Sequence, residues 1–70
     1  MEKIKSITEA FSNQPITLMV CEKESPFRPE DSIKEIVLER TDGTTFYVGY
    51  NFKGKRIFKY LAKSVNVHYL

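Results

Sequence analysis

The sequence predicts a mainly β domain, in which a short N-terminal α-helix precedes a five-stranded, strongly bent antiparallel sheet or small barrel. Residues 36–60, IVLERTDGTTFYVGYNFKGKRIFKY, show the period-two patterning of strands and are broken by two glycine-ended turns. The same period appears in residues 16–23 and 64–69, whereas residues 2–12 space their apolar side chains by three and four. Seventy residues make one small domain, residues 1–70, with a thin core.

In residues 2–12, Ile4, Ile7 and Phe11 fall on one helical face with Ala10 beside them, and Glu2, Lys3, Lys5, Ser6 and Glu9 fall elsewhere. Such a helix is too short to persist alone and is expected to dock on the sheet as a lid. Asn13 can take the left-handed ending position, and Pro15 forbids continuation. Ile16, Leu18 and Val20 then alternate with Thr17, Met19 and Cys21, as in a first strand. Met19 and Cys21 would pack under the helix or under a neighbouring subunit, Cys21 as a small apolar filler.

Residues 24–32, ESPFRPEDS, form the one long loop, stiffened by Pro26 and Pro29. Phe27 and Arg28, pinned between the prolines, are either an aromatic plug for the mouth of the barrel, the preferred reading, or a presented contact pair. Ser32 with Glu35 could cap a helix over residues 33–40, but the β-branched Ile36-Val37 pair and the hairpin that follows favour a strand.

Turn length sets the register of the central meander. A two-residue Asp42-Gly43 loop would pair Glu39 with Phe46 and put Leu38 and Val48 on opposite faces. A three-residue Thr41-Asp42-Gly43 loop pairs Leu38 with Phe46 and Ile36 with Val48. The same length at Phe52-Lys53-Gly54 sets Asn51 opposite Lys55, Val48 opposite Phe58 and Phe46 opposite Tyr60. One face then carries Ile36, Leu38, Phe46, Val48, Phe58 and Tyr60, and this is the register preferred. The other carries Val37, Glu39, Thr45, Tyr47, Gly49, Ile57 and Lys59. Gly49 marks a sharp bend or a close approach of backbones. Residues 61–63 read as a tight turn, and residues 64–69 as a final strand beside strand one, closing the barrel.

Net charge is +2, unevenly placed. Residues 1–35 carry five Lys or Arg against seven Asp or Glu, and residues 36–70 carry six against two. That basic excess in the second half fits a polyanionic partner, or a sheet edge guarded by lysines. Cys21 is the only cysteine, which excludes an internal disulfide and a cysteine-built zinc site. With no apolar run of bilayer length and no signal segment, a soluble, cytoplasmic protein without a membrane partner is expected.

Enzyme chemistry is set aside: His68, the single histidine, has no cysteine or carboxylate at a useful spacing, and no glycine-rich phosphate loop is present. No cofactor or metal is expected. The candidate site is instead a nucleic-acid surface of Tyr47, Phe52, Lys53, Lys55, Arg56, Lys59 and Lys63. In the preferred register Tyr47 and Lys59 lie opposite each other on the outer face, and rings set among cations are what RNA or single-stranded DNA uses. The alternative is a protein-interaction or regulatory adaptor, in which a homo-oligomer or a larger partner hides Met19, Cys21, Val37 and Ile57, more than one short helix covers.

A short helix, five strands and a very short fourth connection resemble an Sm-like or SH3-like small barrel. Residues 58–65, FKYLAKSV, are similar to the second Sm motif of the bacterial Hfq family, in which an aromatic, a lysine and a histidine meet RNA at a ring pore. Phe58 and Lys59 match the first two, and Tyr60 takes the place of the histidine. Phe46-Tyr47-Val48-Gly49-Tyr50 followed by Arg56-Ile57-Phe58 resembles the strand order of the WYL domain, another Sm-like barrel. Both resemblances imply a small barrel, and the first implies RNA binding.

Overall fold

The structure is a computed structural model that describes residues 3–16, 19–28 and 32–70. It contains five strands, β1 (Ile4–Glu9), β2 (Ile33–Thr41), β3 (Thr44–Asn51), β4 (Arg56–Leu61) and β5 (Val65–Tyr69), with a one-turn 3-10 helix at Ala62–Ser64 between the last two. β1 pairs antiparallel with β5, and β2, β3 and β4 form an antiparallel meander. The mainly β expectation holds. The two sheets are not zipped into a closed barrel.

The N-terminal helix is overturned, because residues 4–9 are a strand. The ladder to β5 shifts between Ile4 and Ser6, so β1 holds one extra residue there. That bulge brings Ile4 and Ile7, three apart, to the same core cluster. A bulged strand thereby reproduces the spacing of a helical face. The chain then turns back at once: the Asn13 amide donates to the Glu9 carbonyl at 2.9 Å, and Asn13 takes φ 59°. Phe11, at the turn, is 96% exposed and packs on nothing.

The expected strand over residues 16–23 is also replaced. Pro15 bridges Thr8, Val20 makes a parallel bridge to Ile33, and no regular strand is present among the described residues of the segment. This segment links the sheets, with the Cys21 amide donating to the Ile33 carbonyl at 2.9 Å. Met19 and Cys21 are exposed, so neither is a core filler. Thr17 and Leu18 of that expected strand, Glu2 of the expected helix, and Pro29, Glu30 and Asp31 of the loop lie outside the described residues. Phe27 is 91% exposed and plugs nothing. Residues 33–41 form a strand as expected, not a capped helix; Ser32 is buried and its hydroxyl accepts the Ser25 amide at 2.8 Å, tying the loop to the base of β2.

The core lies between the two sheets. Ile7, Ile33, Ile36 and Val65 are buried there, flanked by Ile4, Ile16, Val20, Tyr47, Phe58, Tyr60 and Val67. Burying such side chains contributes roughly 1.5–3 kcal/mol each, the main favourable term in a domain this small. At the chain end, β5 is a strand as expected, but its partner is residues 4–9 and not residues 16–23, which form no regular strand among the described residues. The turn expected at 61–63 is the 3-10 helix, closed by the Ser64 hydroxyl donating to the Leu61 carbonyl at 2.8 Å. No helix among the described residues is long and apolar enough to cross a membrane.

Candidate nucleic-acid interface

Two glycine-ended turns fix which side chains of the meander face outward. The first is a two-residue turn: Thr41 pairs with Thr44, and Asp42 and Gly43 both take positive φ, 52° and 77°. This is the type I′ geometry that suits the right-handed twist of a hairpin. It overturns the three-residue reading and pairs Leu38 with Tyr47, Val37 with Val48 and Glu39 with Phe46.

The second turn has the expected three residues. The Asn51 amide donates to the Lys55 carbonyl at 3.0 Å, and Gly54 takes φ 80°. Asn51, 2% exposed, holds the loop with its side chain: Oδ1 accepts the Lys53 and Lys55 amides, each at 2.9 Å. Just beyond, the ladder shifts between Gly49 and Tyr50, so that Gly49 pairs with Phe58 but Tyr50 with Arg56. Ile57 is the extra residue. β2 shifts opposite the same stretch, between Ile33 and Glu35, so both flanking strands bend around Tyr50 and Asn51.

These pairings invert β3 relative to the expected faces. Ile36, Leu38, Tyr47, Gly49, Phe58 and Tyr60 share the core side, while Val37, Glu39, Phe46, Val48, Lys59 and Leu61 share the outer side. Phe46 and Val48 therefore leave the inner face to which the sequence assigned them. Gly49 is a point of close approach, but to a ring: a Cβ there would lie 2.1 Å from the nearest Phe58 ring atom.

The proposed site residues are accordingly divided. Tyr47 does not share the outer face with Lys59; it packs against the core beside Tyr60. Its phenol is held above its ordinary pKa by burial first, then by neighbouring Tyr69. Lys53, Lys55 and Arg56 are exposed in and just after the second turn, with Phe52 half-buried among them. Lys59 is exposed on the outer face, its Nζ 4.3 Å from the centroid of the Phe46 ring. Lys63 stands apart in the 3-10 helix. Phe58, which the Hfq-like motif would turn to RNA, covers Gly49, and Tyr60 is half-buried beside it with ring centroids 5.4 Å apart.

Phe46, half-buried, is thus the outer-face ring that sequence reasoning missed, and the Asp42-Gly43 dipeptide was the signal that could have found it. Val48, 0% exposed, is buried on this outer side between its cross-strand neighbours Val37 and Lys59. The face is electrically graded. β2 contributes Glu35 and Glu39, β3 the rings of Phe46 and Tyr50, and β4 Arg56 and Lys59. The Tyr50 hydroxyl donates to the Glu39 carboxylate, and this hydrogen bond is the leading cause of a phenol pKa above the usual value.

Among the described residues no group of three or more His, Cys, Asp or Glu is placed to hold a metal ion. His68 sits exposed on β5 with Nε2 3.0 Å from the Thr8 hydroxyl. Comparison with known proteins finds no matching family model, no matching curated protein and no matching solved structure.

Proposed function

We propose that this chain is a non-enzymatic binding module whose β3–β4 hairpin takes single-stranded nucleic acid, RNA or DNA. The observation that carries the reading is the exposed Lys59 with its ammonium over the half-buried Phe46 ring on the outer sheet face, with Arg56, Lys55 and Lys53 following toward the turn. A base can stack on such a ring while the cations meet phosphate, and stacking contributes on the order of 1–3 kcal/mol per base. The Asn51 side chain supports the role by holding the basic turn in one shape before any ligand arrives. The Sm-like or SH3-like resemblance and a cytoplasmic location belong to the same reading. They are supported by the five-strand order with its one-turn fourth connection, and by the single cysteine.

Titration of a short fluorescent oligonucleotide at low and moderate salt tests this. Affinity should fall steeply with salt, and the double variant Lys59→Ala, Arg56→Ala should flatten the slope of log affinity against log salt by about 2. Binding that ignores salt, or none at low salt, would overturn it. The adaptor reading would then stand, favoured by Leu38, which lies on the core side of β2 beside Tyr47 yet is 59% exposed.

A further inference from the structure

After the turn the chain meets β1 again at Ile16 and at Val20. The Ile16 amide donates to the Ile7 carbonyl at 3.5 Å and the Val20 amide to the Lys5 carbonyl at 2.8 Å. A groove of about 720 Å³ opens at this place on the β1–β5 sheet. Its floor is Lys5, Ser6, Thr8 and His68, and its apolar wall includes Pro15 and Met19. The volume is in the range of small-molecule sites.

The lining has a definite chemistry. Ser6 and His68 are cross-strand partners, His68 Nε2 lies 3.0 Å from the Thr8 hydroxyl, and Lys5 lines the same groove. Among the described residues, no carboxylate lines the groove. Met19 is an unbranched, polarizable side chain that adapts to varied apolar shapes.

We propose that this groove binds a small organic anion, a carboxylate carried on an apolar ring. Lys5 supplies the opposite charge, Ser6 and the Thr8–His68 pair supply hydrogen bonds to the carboxylate oxygens, and Met19 with Pro15 covers the ring. The site is on the other sheet from the basic hairpin and stands independently of the nucleic-acid reading.

Amide chemical shifts of the isotope-labelled chain, titrated separately with naphthoate and with neutral naphthamide, test the assignment. Saturable shifts at Ser6, Ile7, Thr8, Met19 and His68 are expected, with naphthoate bound about tenfold or more tightly than the amide, a difference of about 1.4 kcal/mol. Lys5→Gln should erase that preference. Met19→Glu, a change at a side chain already 51% exposed, should abolish naphthoate binding while leaving distant amides in place. Equal affinity for acid and amide, shifts that do not saturate, or shifts centred on residues 53–56 would overturn it.

Discussion

The two hairpins of the meander share β3 and both end in glycine, yet they are held by different means. The β2–β3 turn is fixed by backbone alone, two residues with positive φ and a ladder that runs from Thr41–Thr44 to Glu35–Tyr50 without a shift. The β3–β4 turn relies on a buried Asn51 side chain, and its ladder slips by one residue almost at once. The difference teaches that turn length fixes register only where no bulge follows. It also places the basic residues on the hairpin whose shape depends on a side chain.

Breaking the second hairpin should cost more than breaking the first. The largest effect is expected at the bulge. Gly49→Ala places a Cβ against the Phe58 ring and should destabilise by about 3 kcal/mol, the upper end of overpacking, read as a fall in the urea midpoint. Pairing it with Phe58→Leu should recover part of that loss, since the obstacle is one ring.

Asn51→Ala comes next. It strands two amides that now share Oδ1, and should cost about 2 kcal/mol while loosening Lys53 and Lys55, seen as faster amide exchange there. At the first turn, Gly43→Ala meets no atom within 4 Å, so only the left-handed backbone is penalised, by about 1 kcal/mol. If Gly43→Ala proved costlier than Asn51→Ala, the contrast between backbone-held and side-chain-held turns would fail.

The smallest effect is alkaline. Tyr50 and Tyr47 both have folded pKa values raised above 10.0, so each favours the folded state while protonated. Their contribution is complete below pH 10.0 and is lost as pH climbs through the raised values. Tyr50→Phe should therefore flatten the decline of the urea midpoint across this range, leaving the remainder to Tyr47.

Much of this was legible in the residues. The strands over 33–41 and 56–61, the three-residue second turn and the final strand follow from alternation, β-branching and glycine placement. The parity of β3 did not, because Phe46-Tyr47-Val48 is apolar on both sides and the outer face buries Val48 as completely as the core buries Ile7. Only turn chemistry could decide between the faces, and weighing apolar agreement above Asp42-Gly43 chose wrongly. The helix expected over residues 2–12 had a different cause: a bulge near Lys5 gives a strand the three-residue spacing of a helical stripe. That error also hid Lys5, Ser6 and Thr8, which share one floor with His68 only once β1 is recognised as a strand.

The extra residue at Ile57 acts as a frameshift for the side chains that follow. Were Ile57 paired with Gly49 instead of bulged, Phe58 would lie opposite Val48 and emerge on the solvent side, and Lys59 would be carried inward opposite Tyr47. One inserted residue thus decides whether β4 offers its neighbours a ring or a positive charge. A chain that closed the bulge while keeping Ile57 would have to rewrite every later position of that strand to keep the same two surfaces.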